Sequence, residues 1–439
     1  MDRRTFVALT AAELAVFTAV GCASGQPTLH LFPEPDPAPP PSGRTDSYDI
    51  AVIGAGAFGG WTALHLRQQG ARVVLIDQFG PGNSRATSGD ETRGVRTSYG
   101  DRGVGQLWMR WAQRAKGRWR RFDEEWKEAI GGQLFFNTGD IIARAERELF
   151  ITRTIEWWEA EQIEHEVLTV EEARYRWPVV DFKGMTVVLY EPEAGVVRAR
   201  RACEAVGFVF KHLGGDIRIG NAALAERSGR VLQTVGLANG DRIAADRFCF
   251  ACGPWLPKVF PAVLGSLMSS LPLGHVCYFA TPPGDDRFTY PNLPSWNFTG
   301  VTGWPALVPD NRGFRVRSTG EGAFDPDLSP RLVSQESVER NRMILRDRFP
   351  ALADMPLSET RACHYESSGT GNFLIDRHPD FDNVWIAGGG SAEGFKFGPV
   401  IGDYVAGRIL DRDDEPELAE GFSIPLEDPP VGVPELSGS

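Results

Sequence analysis

Short apolar runs alternate with amphipathic stretches along most of the chain, and this alternation predicts β-strands separated by α-helices. An apolar run of strand length covers residues 48–53 and leads directly into a glycine-rich segment. Residues 61–69 then repeat apolar positions at helical spacing, Gly70 breaks the pattern, and residues 71–76 form a second β-rich run. This order predicts a βαβ unit with parallel strands near the beginning of the folded chain.

The glycine-rich segment has the spacing of a dinucleotide-binding loop. Gly54, Gly56 and Gly59 form a GxGxxG pattern between the first strand and the helix, and Asp77 ends the second strand. The first glycine permits a tight turn, the second lets the backbone approach a pyrophosphate, and the third lets helix and strand pack closely. Asp77 is expected to accept hydrogen bonds from the adenosine ribose. The pattern does not separate NAD from FAD, and a purely structural glycine loop is the alternative.

Two later strands also end in glycine. Residues 215–252 predict strands joined by a tight turn, and Gly253 follows at once, which favours close approach of the backbone to a ligand. Residues 384–387 predict a buried strand that leads into a glycine-rich loop with Gly394 and Lys396, and helical spacing then resumes. A buried lysine is costly unless an anion meets it, so Lys396 is either an anion-binding residue or a solvated surface lysine.

Residues 78–103 show no period of 2 or 3.6 and predict a long loop. Arg93 and Arg96 in this loop can present guanidinium groups to an anion, and a solvated loop is the alternative. Residues 104–126 then carry tryptophans at helical spacing, which predicts a helix facing the core rather than an aromatic binding platform.

Six scattered cysteines in 439 residues are too few for a disulfide scaffold. Cys249 and Cys252 form a CxxC in an apolar run, where two buried strand thiols are the favoured interpretation and a redox or metal role is the alternative. No second Cys/His pair with zinc spacing follows, so no metal site is predicted.

The amino-acid composition and net charge limit the classes of partner and of fold that we expect. The net charge of -12 makes nucleic acid an unlikely partner, and 42% hydrophobic residues exclude a wholly disordered chain. The length predicts at least two domains. Residues 411–439 hold nine acids against one arginine, so most of the negative surplus lies in the tail.

The N-terminus is similar to an export signal. Arg3 and Arg4 precede an apolar stretch that runs to Val20 and is followed by Gly21 and Cys22, which resembles a twin-arginine leader with a lipobox. The stretch is shorter than the ~20 residues that span a bilayer. Seven prolines in residues 27–41 then predict a stiff tether. We expect a periplasmic or cell-envelope protein with membrane attachment through lipid on Cys22, or a cytoplasmic protein if the leader does not function.

The order of the motifs resembles the D-amino-acid-oxidase-like flavoprotein superfamily, and within it the monomeric sarcosine oxidase and N-methyl-amino-acid oxidase family. Four separate stretches follow that family's pattern in order, which is more specific than one glycine motif. They are Thr92–Gly100, Cys363–Tyr365, Phe373–Pro379 and Gly394–Phe397.

The resemblance implies a mixed α/β fold, with a discontinuous Rossmann-like FAD-binding domain and a second substrate domain built on an antiparallel sheet. The segments implied are an export signal (1–22), a proline-rich linker (23–46), the FAD-binding domain (47–130, 195–262 and 362–412), the substrate domain (131–194 and 263–361) and an acidic tail (413–439).

The resemblance also assigns roles to single residues. Cys363 falls on the family's cysteine that forms a thioether to a flavin ring methyl, so FAD is expected to be covalently bound. Arg96 and Lys396 fall on the pair that binds the substrate carboxylate, and Arg93 falls close to the flavin. The other residues implied to bind FAD are Gly54, Gly56, Gly59, Asp77, Gly253 and Gly394.

Three positions depart from the family's pattern. Arg315 stands where the family has a dioxygen-activating lysine, and Thr319 and Gly89 stand where it has histidines. An arginine keeps the positive charge but is bulkier and holds no labile proton near neutral pH, so this substitution disfavours rapid reaction with dioxygen.

The leading hypothesis is an FAD-dependent oxidoreductase that oxidises the C–N bond of a secondary or N-methylated amino acid. The imine then hydrolyses, and dioxygen takes the electrons and becomes hydrogen peroxide. One alternative is a dehydrogenase of the same fold that passes electrons to a quinone or carrier, which the leader and Arg315 both favour. A noncatalytic flavin-binding module is the alternative of another class.

Overall fold

Two large β-sheets organise the residues that the computed structural model describes, which are 45–101, 105–308, 312–320, 322–412 and 415–425. The predicted leader and nearly all of the proline-rich linker lie outside this range, as does most of the acidic tail, so these assignments stay predictions. The strands are β1 (Thr45–Ile53), β2 (Val73–Asp77), β3 (Arg93–Val95), β4 (Phe135–Phe136), β5 (Asp140–Arg144), β6 (Glu166–Leu168), β7 (Val187–Glu191), β8 (Gly195–Val197), β9 (Asp216–Ile219), β10 (Ala222–Leu224), β11 (Arg227–Ser228), β12 (Val231–Leu232), β13 (Thr234–Leu237), β14 (Arg242–Phe250), β15 (Met268–Phe279), β16 (Ser295–Phe298), β17 (Val301–Trp304), β18 (Phe314–Arg317), β19 (Leu357–Ser368), β20 (Leu374–Arg377) and β21 (Val384–Gly388). The helices are α1 (Ala57–Gln68), α2 (Gly105–Trp126), α3 (Leu149–Ala160), α4 (Val170–Arg176), α5 (Ala199–His212), α6 (Leu256–Val259), α7 (Pro261–Leu264), α8 (Gln335–Arg348), α9 (Gly398–Ile409) and α10 (Pro416–Gly421).

The first sheet contains the predicted βαβ unit. Its parallel strands run in the order β9-β2-β1-β14. On its other side, β14 pairs in parallel with β21 over residues 248–250 and antiparallel with β13 over residues 242–244. β13 and β14 form the predicted antiparallel hairpin, with its turn at Asn239 and Gly240. Segments from three distant parts of the chain therefore build one sheet around β1.

The second sheet runs in the order β19-β15-β18-β17-β16-β5-β7-β6 and is antiparallel at every pair except β5 and β16. The mixed α/β fold with an antiparallel-rich second sheet is thus confirmed. The one parallel pair joins strands that are more than 150 residues apart in the chain, so no hairpin fixes their direction. The predicted boundary between residues 361 and 362 falls inside β19.

The tryptophan helix α2 is part of the core, as the sequence predicts. Trp108, Trp111 and Trp119 are each at most 2% exposed, and Trp108 stacks on Phe373 with ring centroids 4.8 Å apart. Burying each aromatic ring contributes roughly 1.5–3 kcal/mol of hydrophobic stabilisation. The Trp119 indole nitrogen also donates to the Lys396 carbonyl at 2.9 Å, so the core helix fixes the backbone of the late glycine-rich loop.

The long loop after β2 is not wholly irregular. Residues 93–95 form β3, which pairs with β8 and so holds Arg93 against a strand from a distant segment. Three residues are too short to display a period, and the sequence pattern therefore gives no sign of this strand. Among the described residues no helix is long and apolar enough to cross a membrane.

Close packing explains two of the three glycines in the nucleotide-binding loop. Gly54 has a φ of 105°, and a Cβ atom there would lie 2.3 Å from the Ala251 carbonyl oxygen. A Cβ atom on Gly59 would lie 1.9 Å from the Gly54 carbonyl oxygen, so helix α1 can approach β1 only without a side chain at this position. Neighbouring Gly60 has ordinary contacts at 3.5 Å or more.

We expect Gly59→Ala to lower the free energy of unfolding by more than about 2 kcal/mol, because the added methyl group collides with backbone that cannot turn away. Gly60→Ala, one residue further along α1, is the matched control and should be neutral or stabilising by up to about 1 kcal/mol, since alanine favours helix. Urea unfolding followed by circular dichroism measures both. Equal stability of the two variants would contradict the packing argument.

Candidate active site

A cavity of about 590 Å³ lies where the carboxyl ends of β1 and β2 meet the loop after β21. This volume is typical of a small-molecule or cofactor site. Gly54, Gly56, Asp77, Gly253 and Gly394 all line it. The structure therefore brings together five of the predicted cofactor-binding residues, whereas Gly59 acts through helix packing and is not part of the lining.

Gly56 leaves the space that a nucleotide needs. A Cβ atom there would meet nothing closer than the Ser88 hydroxyl at 3.4 Å, so its backbone is open to close approach by a ligand. Gly56 also caps α1, whose first-turn amide groups and positive dipole favour an anion. The cavity thus fits FAD, and Gly56 and the first turn of α1 are the residues that would hold its pyrophosphate.

Asp77 holds the loop in shape. Its Oδ2 atom accepts the Ala55 amide at 2.8 Å, and its Oδ1 atom accepts the Phe79 and Gly80 amides, also at 2.8 Å. Burial raises the pKa of Asp77, although these amide hydrogen bonds act in the opposite direction. The carboxylate predicted to bind ribose therefore also fixes the two turns that flank the site.

A smaller cavity of about 60 Å³ adjoins the large one and shares Arg93, Ala392 and Phe395 with it. Its lining also contains the two residues predicted to bind a carboxylate, Arg96 and Lys396. Arg96 directly follows β3 and Lys396 lies in a short 3₁₀ turn (Gly394–Phe397) before α9, and the fold brings the two cations to one wall.

Glu393 joins the two predicted carboxylate-binding residues. The Lys396 ammonium contacts its Oε2 atom, the Tyr99 hydroxyl donates to the same atom at 3.1 Å, and Arg96 Nη2 lies 3.9 Å from Oε1. Burial disfavours the Arg96 cation, but the charges of Glu393 and Asp140 outweigh this and raise the pKa of Arg96. Arg96 therefore stays charged in a buried wall.

The backbone before Glu393 is strained. Ser391 has a φ of 44° and Ala392 a φ of 66°, in the left-handed region that residues with side chains avoid. Such conformations cost about 1–3 kcal/mol each and persist where the surrounding structure imposes them. Here they turn the chain so that Ala392 lines both cavities and Glu393 faces the cations.

A second buried acid, Asp90, organises the other predicted residues. Its Oδ2 atom contacts the Arg93 guanidinium and lies 3.8 Å from Arg315 Nη2. Arg315 is 2% exposed, and its guanidinium carbon lies 4.0 Å from the centre of the Trp304 ring. Burial opposes the charge of Asp90, but the two arginines outweigh it and lower the pKa of this carboxyl.

Cys363 belongs to the same cluster. Its sulfur lies 3.4 Å from Asp90 Oδ2 and 3.6 Å from Arg93 Nη2. Burial, and then the charge of Asp90, raise the pKa of the Cys363 thiol to about 11. The thiol contacts Arg93, which lines both cavities, but Cys363 is not itself among the lining residues. Its covalent role therefore stays a prediction.

The structure gives physical reasons for the other departures. A Cβ atom on Gly89 would lie 1.9 Å from the Asn83 carbonyl oxygen, so this loop conformation leaves no room for a histidine. Thr319 is exposed and lines neither cavity.

The two cysteines of the CxxC differ in position. Cys249 is buried in β14, whereas Cys252 lies beyond the strand and lines the large cavity, which corrects its assignment to the strand. Both thiols are free.

Sequence reasoning missed Asp90, Glu393 and Arg317, of which the last two line the small cavity. A signal for the two acids exists, because each precedes a predicted cation by three residues. Within the described chain, no group of three or more His, Cys, Asp or Glu side chains is arranged to hold a metal ion.

Asp140, at the start of β5, is a further buried carboxyl near Arg96. Its Oδ2 atom has no hydrogen-bond partner among the described residues. Burial raises the pKa of Asp140 to about 7, although the charge of Arg96 acts in the opposite direction. Between its ordinary value of 3.8 and about 7 the folded protein holds a proton that the unfolded chain releases, so rising pH destabilises the fold in this window.

We therefore expect the free energy of unfolding of Asp140→Asn to rise relative to that of the wild type by up to about 1.4 kcal/mol per pH unit between pH 4 and pH 7. Above pH 7 the difference between the two proteins should stay constant. Urea unfolding at several pH values measures this difference. The exposed Asp354→Asn is the control and should show no such slope. A parallel pH dependence of wild type and Asp140→Asn would contradict the proton uptake by Asp140.

Comparison with known proteins agrees with this geometry. The model of the FAD dependent oxidoreductase (DAO) family matches residues 49–408. The chain is 26% identical over 373 residues to human peroxisomal sarcosine oxidase (Homo sapiens), covering 82% of this chain and 91% of that protein. It is 25% identical over 368 residues to monomeric sarcosine oxidase of Bacillus sp. (strain NS-129), covering 82% and 92%.

A solved structure supports the fold. The crystal structure of L-proline dehydrogenase from P. horikoshii superposes with a TM-score of 0.73 at 20% identity, covering 86% of this chain and 97% of that one. A family match over most of the chain, together with a glycine cradle that fits the cofactor, decides the assignment. The chain belongs to the DAO family of FAD-dependent oxidoreductases.

Proposed function

We propose that the enzyme uses FAD to oxidise the C–N bond of a secondary or N-methylated amino acid. The observation that carries the proposal is the pair of cations, Arg96 and Lys396, at the wall of a small cavity that adjoins the cofactor cavity. The sarcosine oxidases among the relatives support the same substrate class. As a DAO-family enzyme related to amino-acid oxidases, the chain is an oxidoreductase that acts on CH–NH donors.

In this proposal the chain's own residues bind and orient the substrate. Arg96 and Lys396 hold the carboxylate through charge-assisted hydrogen bonds, which fixes the position of the adjacent carbon and nitrogen. Trp304 and Phe395 line the same cavity and exclude water. Orientation of this kind lowers a barrier by up to roughly 7–11 kcal/mol. When bound, FAD supplies the two-electron redox chemistry, and the imine product hydrolyses in water.

The electron acceptor has two candidates. Dioxygen, with hydrogen peroxide as the product, is the first. A quinone or protein carrier is the second, and Arg315 beside Asp90 favours it, because a guanidinium is bulkier than the ammonium of a lysine and orders water differently. The fold shared with an L-proline dehydrogenase is compatible with either acceptor.

We expect Arg96→Ala to raise the KM for the substrate about 10–100-fold, because a charge-assisted hydrogen bond to the carboxylate is lost. Steady-state assays with an artificial dye, run beside a peroxide assay, give KM and identify the acceptor. Arg110→Ala removes an exposed arginine that pairs with Glu161 at 2.8 Å, and this control should keep the wild-type KM. An unchanged KM in Arg96→Ala would falsify the carboxylate clamp.

Covalent attachment has a separate test. If Cys363 forms the thioether, the yellow colour and flavin fluorescence should stay with the polypeptide after acid denaturation of the wild type. In Cys363→Ala they should pass into the supernatant. The control is Cys277→Ala, since Cys277 is also a buried thiol but lines neither cavity. Release of all flavin from the wild type would leave FAD as a noncovalent cofactor.

A further inference from the structure

The small cavity carries an excess of positive charge. Glu393 is the single acidic residue among the described residues of its lining. Burial, and then the charges of Arg315 and Arg96, lower the pKa of Arg317 to about 10, the direction expected in a wall rich in cations. The cationic residues of the lining are Arg93, Arg96, Arg315, Arg317 and Lys396.

The cations of this wall suit the carboxylate of a free amino acid but not its amino group. Its amino group is protonated near neutral pH, and a second positive charge is repelled by the cations that attract the carboxylate. A site for an amino acid therefore needs a negative or accepting group for the nitrogen. In the described lining only Glu393 offers a carboxylate.

Glu393 has the placement that this task requires. It is 5% exposed, its Oε2 atom contacts Lys396 Nζ, and its Oε1 atom lies 3.9 Å from Arg96 Nη2. It therefore lies beside both cations of the proposed carboxylate site. The Tyr99 hydroxyl donates to Oε2 at 3.1 Å and so helps to hold the carboxylate in this position.

Covalent geometry connects these positions. In an amino acid the nitrogen and the carboxyl carbon are bonded to the same carbon atom, so the nitrogen lies only about 3 Å from the nearer carboxylate oxygen. A residue that contacts both Arg96 and Lys396 is therefore within reach of the nitrogen of a carboxylate that they bind. Glu393 is that residue.

We infer that Glu393 binds the amino nitrogen of the substrate and thereby selects an amino acid over a simple carboxylic acid. The inference rests on the proposed function. Before substrate binds, Glu393 is the counterion of Arg96 and Lys396. When substrate binds, its carboxylate contacts Arg96 and Lys396 in place of Glu393, and Glu393 accepts an N–H hydrogen bond from the substrate nitrogen. No covalent bond forms or breaks in this step.

The test compares two ligands in the FAD-loaded enzyme. The amino acid is whichever of sarcosine, N-methyl-L-alanine and L-proline the wild type oxidises with the highest kcat/KM, and acetate is the carboxylate without nitrogen. In Glu393→Gln the KM for the amino acid should rise about tenfold or more, because a charged hydrogen-bond partner is lost. The Kd of acetate, followed by the change in flavin absorbance, should fall several-fold, since no internal carboxylate competes for Arg96 and Lys396.

A rise in the KM for the amino acid together with a fall in the Kd of acetate distinguishes binding of the nitrogen by Glu393 from a merely structural role. Weaker binding of both ligands, tighter binding of both, or no change in either would overturn the inference. Glu148→Gln removes the partner of Arg144 at 3.0 Å outside both cavities and should change neither constant. Glu393→Asp keeps the charge, so its KM should lie between those of the wild type and Glu393→Gln; a KM for Glu393→Asp at or above that of Glu393→Gln would contradict the inference even if the glutamine variant folds poorly.

Failure of the proposed function has a different signature. In that case the wild type would oxidise none of the three amino acids, and Arg96→Ala would bind acetate as the wild type does. The inference about Glu393 falls with it. A wild type that oxidises one of them, combined with an unchanged KM in Glu393→Gln, overturns the inference alone.

Discussion

Buried positive charge is the constraint on which this site depends. A guanidinium or ammonium group removed from water costs several kcal/mol unless an acid compensates it. The protein meets this cost twice, with Asp90 beside Arg93 and with Glu393 beside Lys396. Each acid also lies within 4 Å of a second cation, an arginine from another segment of the chain. Two small ionic clusters thus hold the cations at the wall between the two cavities.

The fold supplies the rigid supports for these clusters. β3 fixes Arg93 by pairing with β8, and the core helix α2 fixes the Lys396 carbonyl through Trp119. β18 carries Arg315 from the second sheet to the same wall. The site is therefore built where the parallel sheet meets the antiparallel one. Its residues come from segments that hydrogen bonds and packing bring together.

The arrangement also separates two tasks. The glycine cradle around Gly56 lines the large cavity alone, whereas Arg93 of the ionic clusters lines both cavities. The small cavity has the charge to bind a carboxylate and, in Glu393, a partner for a nitrogen. Strain at Ser391 and Ala392 lies between the two parts, where the chain turns from one cavity to the other. Under the proposed function, this short segment beside the cofactor cavity is where substrate choice would be made.

The sequence by itself determined the βαβ unit, the nucleotide loop and the core role of the tryptophan helix. These features depend on local periodicity and on glycines at fixed spacing, which any single segment displays. It also pointed to Arg96 and Lys396 as anion-binding residues, the first through its place in the loop and the second through its glycine-rich surroundings. It gave no sign of β3, which is too short to show a period.

Only the tertiary structure decided the partners of these cations. Asp90 meets Arg315 and Cys363, and Glu393 meets Arg96, across hundreds of residues of chain. The sequence shows that each acid lies three residues before a cation. It does not show the distant arginine that contacts the same acid. Such contacts arise when two sheets pack together, and no local pattern records the position of one sheet against the other.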